Sequence, residues 1–231
     1  MSTLLPDGAS PRQCVPVSPG ANIVGIDLSG PANAADTALV WFRESERELR
    51  YAGSTTGASD EDIVGIVSSL RSPVVGIDAP LSYQDGGGSR PGDTSLRQTV
   101  TRVGMKPGSI MAPTFNRMAY LTLRGVVVAR ALEAMGVARE RICEVHPGGA
   151  LALHGAPIAD VLAFKASRES RERLFAWLDG MGLRGMDSGI AASSHGVAAC
   201  GAALAAWHWI RGTQKWHWRA CPPYHPYDFS C

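Results

Sequence analysis

Apolar and polar residues alternate along this chain with a period that changes several times, and each change marks an element. Asn22-Ile-Val-Gly-Ile-Asp27 is an apolar run closed by one carboxylate and a Ser29-Gly30 turn, which predicts a strand. Thr37-Ala-Leu-Val-Trp-Phe42 and Glu48-Leu-Arg-Tyr-Ala52 flank a charged turn and predict a hairpin continuing from it. From Ala58 the period lengthens, with Ile63, Ile66, Val67 and Leu70 on one helical face. Ser59 is placed to cap that helix, and Asp60, Glu61 and Asp62 suit its positive end. Pro73-Val-Val-Gly-Ile-Asp-Ala-Pro80 then repeats the first strand, with Asp78 standing where Asp27 stood.

The second half predicts more helix. Ser82 to Gly92 is glycine-rich but lacks the Lys-Ser/Thr ending of a phosphate loop, so it reads as a lid or a connection. Helices are expected over 93–101 and within 114–135. Arg141 to Gly149 reads as a fifth strand ending in a Pro-Gly-Gly turn, with Glu144 and His146 on one face. A cover helix is expected over 166–181, its apolar face carrying Leu174, Trp177 and Leu178. The last helix starts at Ser193 or Ser194 and runs to Ile210. Ala198, Ala199, Ala202, Ala203 and Ala206 leave it a side-chain-poor face that can lie close to a sheet, with His195 in its first turn.

Residues 1 to 20 hold four prolines and little periodicity, and read as a mobile leader before one domain over 21–231. A chain of 231 residues with 45% hydrophobic content can bury a substantial core. Its net charge of +1 gives no bulk attraction for nucleic acid, so any such contact needs a local patch. Arg97, Arg102, Lys106, Arg117 and Arg124 form the most basic stretch, read as a solvated face ahead of a phosphate contact. No apolar run is long enough for a membrane span, and the first residues lack the order of a signal peptide. Five cysteines without a paired framework point to a reducing cytoplasm.

An aspartate deep in an apolar strand is costly unless hydrogen bonds, a cation or a ligand compensates it. Two of them in matching strands, Asp27 and Asp78, point to paired carboxylates at one edge of a sheet. Glu144 lies in a similar apolar setting, whereas His146 reads as a hydrogen-bonded structural histidine. His195 gains interest from its place relative to Asp27 and Asp78. In the tail, His217, Cys221, His225 and Cys231 are zinc-type ligands separated by three, three and five residues. They lack the tight Cys-x-x-Cys pairs of zinc knuckles, and packing of the surrounding aromatic rings is the preferred reading.

The order of three antiparallel strands, helix, strand, helices, strand and final helix resembles the ribonuclease H-like arrangement. At motif level the chain resembles the DUF429 family of predicted ribonuclease H-like nucleases. The resemblance rests on Gly25-Ile-Asp-Leu-Ser-Gly30, Gly76-Ile-Asp-Ala-Pro-Leu81, Glu144-Val-His-Pro-Gly-Gly149 and the helix from Ser194 to Trp207. It implies an α/β fold with a mixed five-stranded sheet flanked by helices. It also implies phosphodiester cleavage of nucleic acid or a nucleotide at a Mg²⁺ or Mn²⁺ site, with Asp27, Asp78, Glu144 and His195 catalytic and Asp27, Asp78 and His195 as metal ligands. The family pattern carries acids at the position of His195 and three residues later, where this chain has Ala198. That departure keeps a non-catalytic nucleic-acid, nucleotide or protein-binding relative as the alternative. An actin-like or sugar-kinase fold stands third, since it needs a longer chain.

Overall fold

The computed structural model describes residues 20–45 and 47–231; the expected leader, apart from Gly20, and Glu46 lie outside the described residues. Strands β1 (Asn22–Asp27), β2 (Ala38–Glu44) and β3 (Leu49–Thr56) form the antiparallel meander that the hairpin pattern predicts. Helix α1 (Asp60–Ser69) follows, and Ser59 caps it reciprocally with Asp62, because a serine oxygen there satisfies an otherwise orphaned amide. The chain then enters β4 (Val74–Asp78), which lies parallel to β1. Two helices, α2 (Pro91–Arg102) and α3 (Met118–Ala134), lead to β5 (Ile142–Val145), parallel to β4.

After β5 the structure departs from expectation. Pro147-Gly148-Gly149 is the first turn of helix α4 (Pro147–Leu153), not a turn that merely ends the strand. Proline suits that position because its missing amide would have had no helical partner there, and the His146 ring accepts the Gly149 amide at 2.8 Å. Helix α5 (Ile158–Ala163) and the cover helix α6 (Arg168–Gly180) follow. Leu174 and Leu178 of α6 are buried, with Trp177 partly so.

Among the described residues the sheet has eight strands rather than five. The additions are β6 (Leu183–Arg184), paired with β3, and β7 (His217–Trp218) and β8 (Asp228–Ser230), the latter parallel to β5. Strands of two or three residues carry too little alternation to be read from sequence. The order is β6-β3-β2-β1-β4-β5-β8-β7.

Helix α7 (Ser194–Ile210), capped by Ser193, is buried along almost its whole length and crosses β1 and β4. The contact is backbone to backbone. Gly25 and Gly76 are register partners, and a Cβ on Gly25 would stand 2.0 Å from the Ala199 carbonyl oxygen. A Cβ on Gly76 would stand 2.7 Å from the Ala202 carbonyl oxygen. The alanine face of α7 and the two strand glycines are therefore one packing unit. On the opposite sheet face, Val24, Ile26, Val75 and Ile77 pack with Ile63 and Val67 of α1 and Val128 and Leu132 of α3.

Arg124 is not part of a solvated basic face. Its guanidinium is buried, donating to Asp60 Oδ1 (2.7 Å), the Ser29 carbonyl (2.8 Å) and Thr37 Oγ1 (2.7 Å). It thereby ties α3 to the turn that follows β1. Among the described residues, no helix is long and apolar enough to cross a membrane.

Candidate functional site

β1 and β4 both stop at an aspartate, and the parallel register makes Asp27 and Asp78 direct partners. Each lies two residues beyond a glycine that faces α7, so both carboxylates project to the α7 side of the sheet. There the first turn of α7 brings in His195, whose Nδ1 lies 2.6 Å from Asp27 Oδ2. The Ser193 hydroxyl accepts the His195 amide at 3.1 Å and so sets where that turn begins.

The electrostatics follow from this crowding. Burial pushes the Asp78 carboxyl well above its usual range, and the charge of Asp27 and a hydrogen bond to it push the same way. Lys165 opposes that shift only partly. The Asp27 hydrogen bond raises the His195 pKa, against some desolvation.

These residues line a cavity of about 430 Å³ whose walls include Asp27, Asp78, His146, Lys165, His195 and Ala198. Ala198 thus faces the carboxylates one turn after His195, as three-residue spacing on a helix requires. A second cavity of about 180 Å³ shares Asp78, Ser109, His146 and Lys165 with the first and extends to Met111 and Met118. His146 is held by two hydrogen bonds. Its Nδ1 accepts the Gly149 amide, which leaves Nε2–H to donate to the Ser109 carbonyl at 3.1 Å. Burial lowers its pKa to about 4, so the ring is neutral at physiological pH.

Glu144 does not line the cavity that Asp27 and Asp78 share, but it lines the second cavity with Asp78, and its charge adds to the upward push on the Asp78 carboxyl. It pairs in register with Ile77, not Gly76, and so leaves the sheet on the opposite face. Its carboxylate accepts from the Leu81 amide (2.8 Å) and from Arg90, whose Nη1 lies 2.7 Å from Oε2. Arg90 also donates to Asp93 and to Ser82, so Glu144 belongs to a buried structural network. Burial opposes charge on Arg90, but Glu144 and Asp93 outweigh it and hold the guanidinium protonated.

Among the described residues, no three histidine, cysteine or acidic side chains gather into a ready metal cluster. The Asp27–Asp78 pair nevertheless fits a hydrated Mg²⁺ or Mn²⁺. Such ions keep several waters and are held by one or two carboxylates plus substrate oxygens. In the tail, the zinc-type residues are engaged separately. His217 lies 3.0 Å from Asp228, His225 bonds Ser82, the Cys231 thiol donates to the His146 carbonyl, and Cys221 is exposed. The tail's rings pack instead: Trp216 meets Phe229 edge to face, and Trp218 covers Gly92.

The family model described as "Protein of unknown function (DUF429)" matches residues 25–227. The chain belongs to the DUF429 family. No curated protein and no solved structure matches it. The matched span of this DUF429 chain contains Asp27, Asp78, Glu144 and His195 together. Reading the sequence missed Lys165, which follows α5 in no recognisable motif and reaches the cavity only through packing of that short helix. It also assigned His146 no place beside Asp78, because the helical turn of Pro147 that orients the ring was not anticipated.

Proposed function

We propose that this DUF429 protein is a divalent-metal-dependent phosphodiester hydrolase of ribonuclease H-like type. The observation that carries the reading is the in-register pair Asp27–Asp78, with Asp78 forced toward its protonated form. Two carboxyls in that relation repel when both ionise, and a divalent cation between them relieves the repulsion. The strand order supports the fold assignment, with β1–β3 antiparallel and β4 and β5 added in parallel.

Asp27 and Asp78 would hold Mg²⁺ or Mn²⁺, which when bound polarises a phosphoryl oxygen and lowers the pKa of a coordinated water. His195 keeps one ring nitrogen against Asp27, leaving Nε2 to take a proton from the attacking water. Lys165, exposed on the cavity wall, supplies a positive charge for the non-bridging oxygens. Neutral His146 orders the wall between the two cavities and adds no charge.

Ala198, and the lack of a third acid among the described residues that line the first cavity, favour a second reading, a binding protein that does not cut. Hydrolysis of bis(p-nitrophenyl) phosphate with Mn²⁺ separates the two. The proposal requires turnover in the native chain and background rates in Asp27→Asn and Asp78→Asn. No turnover, with no Mn²⁺-induced shift in melting, would leave the non-catalytic reading.

A further inference from the structure

Helix α3 keeps a stripe of large apolar groups in water. Tyr120 is 61% exposed, Leu123 65% and Val127 58%, and they follow one another in steps of three and four. Exposed Arg130 and Ala134 continue the same steps to the end of the helix. That spacing puts all five on one face, as in helices that pair along a seam. Half-buried Ala119, Val126 and Ala131 border the stripe, so the apolar face is wider than one row. Met118 and Leu121 of the same helix line the second cavity, and helical spacing sets them on the side away from the stripe. The site therefore uses one side of α3 and leaves the other exposed.

Contiguous exposed apolar groups mark a contact surface, and here the order of the residues selects the occupant. A second α3, laid antiparallel about a two-fold axis level with Gly125, brings together residues equidistant from that glycine. Leu123 then meets Val127, and Tyr120 meets Arg130, whose guanidinium can lie on the ring face. Along the borders Arg117 falls nearest Ala131, Glu133 nearest Ala119, and Val126 nearest its own copy. Arg124, close to the axis, is turned inward to Asp60, Ser29 and Thr37. No like charges of α3 face one another in this pairing. A parallel pairing would set Arg130 against Arg130, which like-charge repulsion disfavours. The net charge of +1 adds little repulsion between whole copies. An unrelated partner would have to supply both an apolar ridge and a ring for Arg130, and a second copy supplies both.

We propose that this protein self-associates as an antiparallel α3-to-α3 dimer, with Leu123 and Val127 at its centre and Tyr120 on Arg130 of the second copy. Such an interface is isologous and closes on itself. One 17-residue helix per copy makes a small contact, so the dimer should be reversible, with a midpoint on the order of 10–100 μM. The second cavity stays open, since Met118 and Leu121 lie away from the seam. The inference needs neither a metal nor the hydrolase reading.

Sedimentation velocity of the full chain over a concentration series tests it. The native protein should pass from monomer to dimer as concentration rises. Leu123→Glu should weaken association by about tenfold or more, since it buries a charge at the apolar centre. Tyr120→Lys should weaken it likewise, because it faces Arg130 of the second copy with another cation. Adding Arg130→Glu to Tyr120→Lys should restore association. Antiparallel packing then pairs the new cation with the new acid, whereas parallel packing would set each against its own copy. All three side chains are exposed, so the variants keep their core, and their melting temperatures check this. A native chain that stays monomeric throughout the series would overturn the proposal. If Leu123→Glu also lowered the melting temperature of that monomer, the face would belong to another segment of the same chain. Dimers indifferent to Leu123→Glu would place the interface elsewhere, and a charge swap that restores nothing would refute the antiparallel pairing.

Discussion

Asp27 and Asp78 are register partners on adjacent parallel strands, and burial together with the charge of Asp27 pushes the Asp78 carboxyl up. Such an arrangement is unfavourable in a folded protein that has nothing to place between them. Repulsion of this kind on a cavity wall is what the proposed metal site would relieve.

Asp78→Asn should therefore stabilise the metal-free protein. The native carboxyl keeps its proton above the ordinary value of 3.8, so the native state binds more protons than the unfolded chain from there up to the raised pKa. Stability falls as pH rises through that window, and the loss is complete above it. The amide removes this loss. Melting at neutral pH in EDTA should rise by about 2–4 °C for each kcal/mol of repulsion relieved. The gain should vanish in acid, below the ordinary value. A lower melting temperature at neutral pH would contradict the placement of Asp78 against Asp27.

Ala198→Asp should tighten Mn²⁺ binding. Ala198 lines the same cavity as Asp27 and Asp78, so a carboxylate there adds a third oxygen donor. Without metal the variant should be less stable, because the new charge faces two others. Calorimetric titration of native and variant proteins gives the comparison. Unchanged Mn²⁺ affinity in a folded variant would mean that the cavity does not hold the ion.

Glu144→Gln should cost stability but leave Mn²⁺ binding intact. Glu144 shares Arg90 with Asp93 in a buried network and lies outside the cavity that Asp27 and Asp78 share, so under the proposed metal site the change weakens an ion pair and spares the metal ligands. Arg90→Ala should be worse, by about 3–5 kcal/mol, since it leaves both acids buried without their cation. Urea unfolding of the two variants, with Mn²⁺ titration of the first, checks both statements. Loss of Mn²⁺ binding in Glu144→Gln would return Glu144 to the site.

Gly25→Ala should destabilise the fold by about 3 kcal/mol or more, because the added carbon meets the α7 backbone and cannot be relieved by a side-chain rotation. Gly30→Ala is the control. It lies in open space at a φ of −63°, which alanine adopts freely, so its unfolding midpoint should equal or slightly exceed that of the native chain. A tolerated Gly25→Ala would show that α7 does not lie where its alanine face places it.

What the sequence determined by itself was local. The Val-Gly-Ile-Asp strands, the cap at Ser59, the span of α7 and the position of Ala198 depend on period, capping chemistry and helical spacing, all expressed within a few residues. The matching aspartates also announced their own pairing, since burying either alone is costly. Only the tertiary structure decided which neighbours those groups have. Arg90 and Glu144 are 54 residues apart, and nothing near either one in sequence tells that they neutralise each other. Lys165 reaches the cavity through the docking of a six-residue helix, and β6, β7 and β8 exist because the sheet edges were there to pair with. Pro147 reads as a turn in isolation and becomes a helix start once His146 caps it. The physical reason is the same in each case: period and capping act over one or two turns of chain, whereas compensation of a buried charge requires only proximity in space.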